Sequence, residues 1–148
     1  IADEPTTGLD VTIQAQIFDL IKEVQAEVGA SLLLITHDLG VVSEVCHRVA
    51  VMYAGQIMEQ ASVRDLFQRP SHPYTERLLA SILRVDEAAE LDTSKAIAFA
   101  SIDYSSAGCR FANRCPYVMD ICWAQRPQVR SLGDAHVGFC HLRSQEPS

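Results

Sequence analysis

At 148 residues the chain is long enough for one ordinary domain, or for part of one plus a small appendage. Hydrophobic residues make up 48% and charged residues 21%, the balance of a globular domain, and no apolar run approaches the roughly eighteen residues that a membrane span needs. The net charge of −7 argues against a broad nucleic-acid surface, but residues 109–143 carry +3 while the rest carries −10, which marks the C-terminal segment as a separate unit.

Residues 1–10 place two adjacent acids, Asp3 and Glu4, at what reads as a strand end, followed by the turn Pro5-Thr6-Thr7-Gly8 and a third acid, Asp10. An isolated acid pair is most often a solvated turn. Two consecutive carboxylates at a strand end also suit phosphate chemistry, where one holds Mg²⁺ and the other orients or deprotonates the attacking water. Asp3 is then the metal-side acid and Glu4 the water-side acid.

From Val11 to Val28 the apolar positions Ile13, Ile17, Leu20, Ile21, Val24 and Val28 fall on one helical stripe, with Asp10 as N-cap and Gly29 as stop. Ser31 to Ile35 is a short apolar run suited to a strand buried on both faces of a parallel sheet. A helix between two strands predicts an α/β fold. His37 follows at the carboxyl end of the second strand, where ligands bind in open α/β sheets, although a lone loop histidine is more often structural or exposed. Asp38 caps a further helix with Leu39, Val42, Val45 and Cys46 available for packing. Arg48 to Tyr53 and Gln56 to Gln60 flank Ala54-Gly55 as a hairpin. Ser62 opens a short helix that Pro70 ends, and Pro73 starts another running to about Leu83, with His72 and Tyr74 read as packing and capping groups. Residues 85–106 show no sustained period and read as a linker.

Four of the five cysteines, Cys109, Cys115, Cys122 and Cys140, cluster near the C-terminus as C-x5-C-x6-C-x17-C. Disulfides, zinc and an iron–sulfur cluster compete to explain them. Four thiolates satisfy tetrahedral zinc, but the tight C-x2-4-C knuckles of structural zinc sites are absent. A [4Fe–4S] cluster also takes four thiolates and tolerates wider spacing. Either group leaves a charge of about −2 that Arg110, Arg114, Arg126 and Arg130 could offset. His136 and His141 could replace a cysteine but read as exposed or outer groups.

The run Asp3-Glu4-Pro5-Thr6-Thr7-Gly8-Leu9-Asp10 resembles the Walker B motif and D-loop of ATP-binding cassette ATPases, and Leu32 through Asp38 resembles their switch-histidine loop. His72-Pro73-Tyr74-Thr75 narrows the resemblance to the oligopeptide and dipeptide importer branch. Gly108 through Tyr117, Cys122, Arg126-Pro127 and Phe139 through Leu142 are similar to that branch's C-terminal extension, which holds an iron–sulfur cluster in some members. The Gly-x-x-x-x-Gly-Lys-Ser/Thr phosphate cradle and the Ser-Gly-Gly-Gln signature are absent from these 148 residues.

The resemblance implies the C-terminal part of a P-loop nucleotide-binding domain over residues 1–84, a linker over 85–106 and a cysteine-rich extension over 107–148. It implies ATP and Mg²⁺ as cofactors, with Asp3 holding Mg²⁺, Glu4 as general base, His37 on the γ-phosphate and Asp10 reaching across an ATPase dimer. Work in a reducing cytosol argues against disulfides, and the resemblance favours [4Fe–4S] over zinc. The implied role is peptide import driven by ATP hydrolysis at the cytoplasmic face of the membrane. The partners are a second ATPase subunit, permease subunits and, indirectly, an extracytoplasmic solute-binding protein, with no nucleic acid. The alternatives are a non-catalytic metal-binding regulatory or interaction module, or the ATPase of an importer for nickel or another solute. Without the cradle, the 148 residues alone are expected to be inactive.

Overall fold

The computed structural model describes residues 1–83, 104 and 106–142. The expected linker and the segment after Leu142 lie almost wholly outside the described residues. The chain divides into two compact units, Ile1–His47 and Arg48–Ser148.

In the first unit, strand β1 (Ala2–Asp3) pairs in parallel with β2 (Leu34–Ile35), and helix α1 (Val11–Val28) connects them. The boundaries of α1 follow from its caps. The Asp10 carboxylate accepts the backbone N–H groups of Thr12 and Ile13, each at 3.0 Å, and Gly29 ends the helix in the left-handed conformation at φ 67°. Helix α2 (Leu39–Val45) starts in the same way, the Asp38 carboxylate accepting from Gly40 and Val41. Val42 and Phe18 are buried.

The expectation of a strand buried on both faces is corrected within this chain. Only Leu34–Ile35 of the run is paired, and Leu33 and Ile35 are exposed. Burying a parallel strand requires strands on both edges and cover on both faces, and among the described residues the only strand paired with β2 is the two-residue β1. The apolar stripe of α1 is likewise open, with Leu20, Val24 and Val28 exposed.

The second unit is built on an antiparallel sheet of order β3-β4-β6-β5, comprising β3 (Arg48–Tyr53), β4 (Gln56–Ser62), β5 (Arg130–Ser131) and β6 (Val137–Gly138). It thus draws strands from both sides of the 85–106 segment. The β3–β4 hairpin turns at Ala54-Gly55, both with positive φ. Its register slips between Val51 and Met52, so Val51 faces Glu59 and Met52 faces Ile57. A bulge breaks strand alternation, and here the consecutive residues Met58 and Glu59 are both buried.

Helix α3 (Val63–Gln68) is capped by Ser62, whose hydroxyl accepts the Asp65 N–H and donates to the Asp65 carboxylate. Helix α4 (Pro73–Leu83) follows, beginning at proline as expected. One cluster of the core joins Val51, Ala61 and Leu66; a second joins Tyr53, Met58, Cys109, Phe111, Ala112 and Cys122. The cysteine-rich segment contributes a 3-10 turn at Ala112–Arg114 and the short helix α5 (Asp120–Ala124). No described helix is long and apolar enough to cross a membrane.

Candidate functional site

The parallel pairing of β1 with β2 carries the two candidate chemical groups of the first unit to adjacent strand ends. The Glu4 N–H donates to the Ile35 carbonyl at 2.8 Å, which fixes Glu4 beside the segment that leads to His37. Glu4 then leaves the strand through a left-handed backbone, φ 46°, a conformation uncommon outside glycine and concentrated at functional turns. Its carboxylate accepts the Thr7 hydroxyl at 2.8 Å and lies 2.7 Å from His37 Nδ1. Because a carboxylate only accepts, Nδ1 carries the shared proton.

This contact shapes both titrations. The His37 hydrogen bond, followed by that of Thr7, holds the Glu4 carboxyl below the usual carboxylate range, while the Glu4 contact raises His37 above its ordinary value. Both side chains remain open to solvent, His37 largely so. With Nδ1 engaged, Nε2 is the ring nitrogen left to meet a ligand. Asp3 precedes Glu4 on β1 and is exposed, while Asp10 spends one carboxylate oxygen on capping α1. Of the predicted acids and bases in this unit, the structure therefore brings Glu4 and His37 into contact.

In the second unit all four predicted cysteines line a single small pocket that opens to solvent, together with His72, Phe111, Met119 and His141. Cys109 and Cys122 are joined through the backbone, the Cys109 N–H donating to the Cys122 carbonyl at 2.8 Å. Gly108 makes this approach possible, since a Cβ there would sit 2.2 Å from the same carbonyl oxygen. Burial pushes the Cys109 thiol up, and that of Cys115 to about 11. Among the described residues no group of three or more Cys, His, Asp or Glu could hold a metal ion. Neither the zinc nor the iron–sulfur expectation therefore finds a formed single-ion ligand set, although the four thiols share one cavity.

One further expectation is corrected. His136 lies not at the cysteines but buried against Glu59, its Nε2 at 2.7 Å from the carboxylate. Arg110 is held by the backbone and an aromatic ring: its guanidinium donates to the Ala54 and Tyr104 carbonyls and stacks over the Tyr104 ring. His141 does line the cavity, with Nε2 2.9 Å from the Gln125 carbonyl oxygen. His72 packs on Phe111 and accepts the Tyr74 N–H at Nδ1, and burial lowers its pKa to about 4, so it is neutral at physiological pH.

Residues 58–122 match the family described as "Oligopeptide/dipeptide transporter, C-terminal region". The match covers somewhat under half of the chain. The homology extends along nearly the whole chain. It is 51% identical over 148 residues to the oligopeptide transport ATP-binding protein AppD of Bacillus subtilis, covering 99% of this chain and 44% of that protein. It is 47% identical to the dipeptide transport ATP-binding protein DppD of the same organism, covering 98% and 43%. It is 47% identical to a probable peptide ABC transporter ATP-binding protein, y4tR, of Sinorhizobium fredii, covering 99% and 44%. The chain thus spans somewhat under half the length of these transporter relatives.

Sequence reasoning passed over Glu59 as a site residue. The available signal was an acid inside the apolar strand Ile57-Met58-Glu59-Gln60-Ala61, since carboxylates are rarely buried without partners.

Proposed function

We propose that these 148 residues form the C-terminal part of the ATP-binding subunit of an importer, coupling ATP hydrolysis to uptake of di- or oligopeptides. The observation that carries this reading is the 2.7 Å contact between Glu4 and His37, which joins two motifs 33 residues apart in one strand-end site. The names of the relatives support the transport role and the peptide substrate class.

Residues 1–84 carry the ATPase motifs and residues 107–148 the extension. When bound, Mg²⁺ supplies charge neutralisation on the phosphates; Asp3, exposed at the end of β1, is the residue to hold it. Glu4 orients the attacking water and accepts its proton. Its lowered pKa makes it a weaker base while His37 donates to it, so orientation is its main contribution in the paired state. His37 positions the γ-phosphate through Nε2 while Nδ1 stays on Glu4. Asp10 reaches the second ATPase subunit of the dimer with the part of its carboxylate not used in capping. The whole acts at the cytoplasmic face of the membrane against permease subunits, with a solute-binding protein upstream.

The phosphate cradle is missing from the 148 residues, so the isolated chain should not turn over ATP. A subunit in which this chain replaces the matching stretch of the Bacillus subtilis AppD protein should do so, and should lose activity with Glu4→Gln or His37→Ala. Full activity in either variant would overturn the assignment.

The shared thiol cavity supports a second reading. A [4Fe–4S] cluster, whose irons sit at separate corners, takes thiolates that do not converge on one point. Anaerobic purification with iron, labile-sulfide and zinc analysis tests it. Iron and sulfide together support the cluster, whereas zinc alone or no metal contradicts it.

A further inference from the structure

The second unit contains a buried acid that neither reading uses. Glu59 is 0% exposed, and three donors from two other segments converge on its carboxylate. The Ser71 N–H donates to Oε1 at 2.8 Å, the His72 N–H to Oε2 at 3.0 Å, and His136 Nε2 lies 2.7 Å from Oε1. Ser71 and His72 immediately precede α4, so the carboxylate sits at the positive end of that helix as well. His136 enters from the turn between β5 and β6, where Gly133, Asp134 and Ala135 all have positive φ and the His136 N–H donates back to the Gly133 carbonyl.

The position of Glu59 has a specific cause. The bulge in the β3–β4 hairpin buries two consecutive side chains: Met58 packs with the cysteine-bearing cluster, while Glu59 takes the start of α4 and the β5–β6 turn. Gly138, the register partner of Glu59 on β6, has no Cβ, and one would stand 2.8 Å from the Ser71 hydroxyl. A side chain at this position would force the Ser71 hydroxyl to move.

His72 is held at its own N–H by Glu59, and its ring forms one wall of the cavity that the four thiols line. We propose that Glu59 and His136 form a buried latch that fixes His72 and Pro73 as a wall of this cavity and so sets how readily a reagent reaches Cys109, Cys115, Cys122 and Cys140. Glu59 and His136 are positioning residues: neither lines the cavity, and both act through the backbone of Ser71 and His72. The latch operates whatever the thiols hold, so its test stands apart from the metal analysis.

The experiment measures maleimide labelling of each cysteine by mass spectrometry in the full 148-residue chain as purified, with Cys46 of the first unit as internal reference. Glu59→Gln keeps one acceptor oxygen but sets amide donors against backbone donors; His136→Ala removes a single arm of the latch. Each should speed labelling of the four cavity cysteines by about tenfold or more and leave Cys46 unchanged. Ser62→Ala, which removes the α3 cap without touching the latch, controls for general loss of stability. Labelling is repeated across low urea concentrations, because a local opening is nearly independent of urea and global unfolding is not. Unchanged cavity labelling in both latch variants overturns the proposal. So does an increase that follows global unfolding or appears equally in Ser62→Ala.

Discussion

Replacing Glu59 by alanine removes one acceptor from three buried donors at once: the Ser71 and His72 N–H groups and His136 Nε2, at 2.8, 3.0 and 2.7 Å. Each buried donor left without a partner costs about 1–3 kcal/mol. Three such donors, less what water in the vacated space recovers, lead us to expect Glu59→Ala to destabilise the second unit by about 3–5 kcal/mol. His136→Ala leaves the two backbone donors on Glu59 and should cost less, about 1–2 kcal/mol. Urea unfolding followed by the fluorescence of Trp123, the single tryptophan and a member of α5, gives both values. A domain stability of about 5–15 kcal/mol leaves the milder variant folded even where the harsher one does not fold. A loss below about 1 kcal/mol for Glu59→Ala, or a larger loss for His136→Ala, would refute the account of the carboxylate as the shared acceptor.

Two other perturbations read the first unit. The raised His37 pKa makes its pairing with Glu4 fully present below the ordinary histidine value of 6.5 and lost as pH rises through the elevated value. The lowered Glu4 pKa makes it present above the ordinary 4.5 and lost as pH falls through the depressed value. The contact is therefore complete between pH 4.5 and 6.5, and in an NMR titration Glu4→Gln should return the His37 midpoint toward 6.5; an unmoved midpoint would show that the contact does not form in solution. Asp10→Ala removes both cap bonds and should cost about 1 kcal/mol, seen as faster amide exchange at Thr12 and Ile13. Unchanged exchange there would place the start of α1 under other control.

Local signals were legible where one residue determines an outcome. Asp10 and Gly29 bound α1, Asp38 and Ser62 cap α2 and α3, and Ala54-Gly55 turns the hairpin, each by a backbone requirement that the residue type announces. That Glu4 and His37 lie at neighbouring strand ends was legible for a different reason: a strand, a helix and a parallel strand place consecutive strand ends side by side, whereas their direct contact was not. The union of β6 with β4 was not legible, because two-residue strands carry no period and the pairing spans some eighty residues. The burial of His136, read from the sequence as an exposed or outer group, was not legible on the same account. The hairpin turn carries it to a bulged strand far away in sequence. The bulge is the least legible feature, since nothing in Gln56 to Ser62 distinguishes a slipped register from a regular one.

ATP hydrolysis tests the central claim most directly, in the AppD-based subunit in which this chain replaces the matching stretch. The expected result is turnover that falls about 100-fold or more in both Glu4→Gln and His37→Ala, with the folded structure retained. Turnover undiminished in either variant would contradict the claim that these two residues, brought together at 2.7 Å, form the working wall of a nucleotide-hydrolysing site.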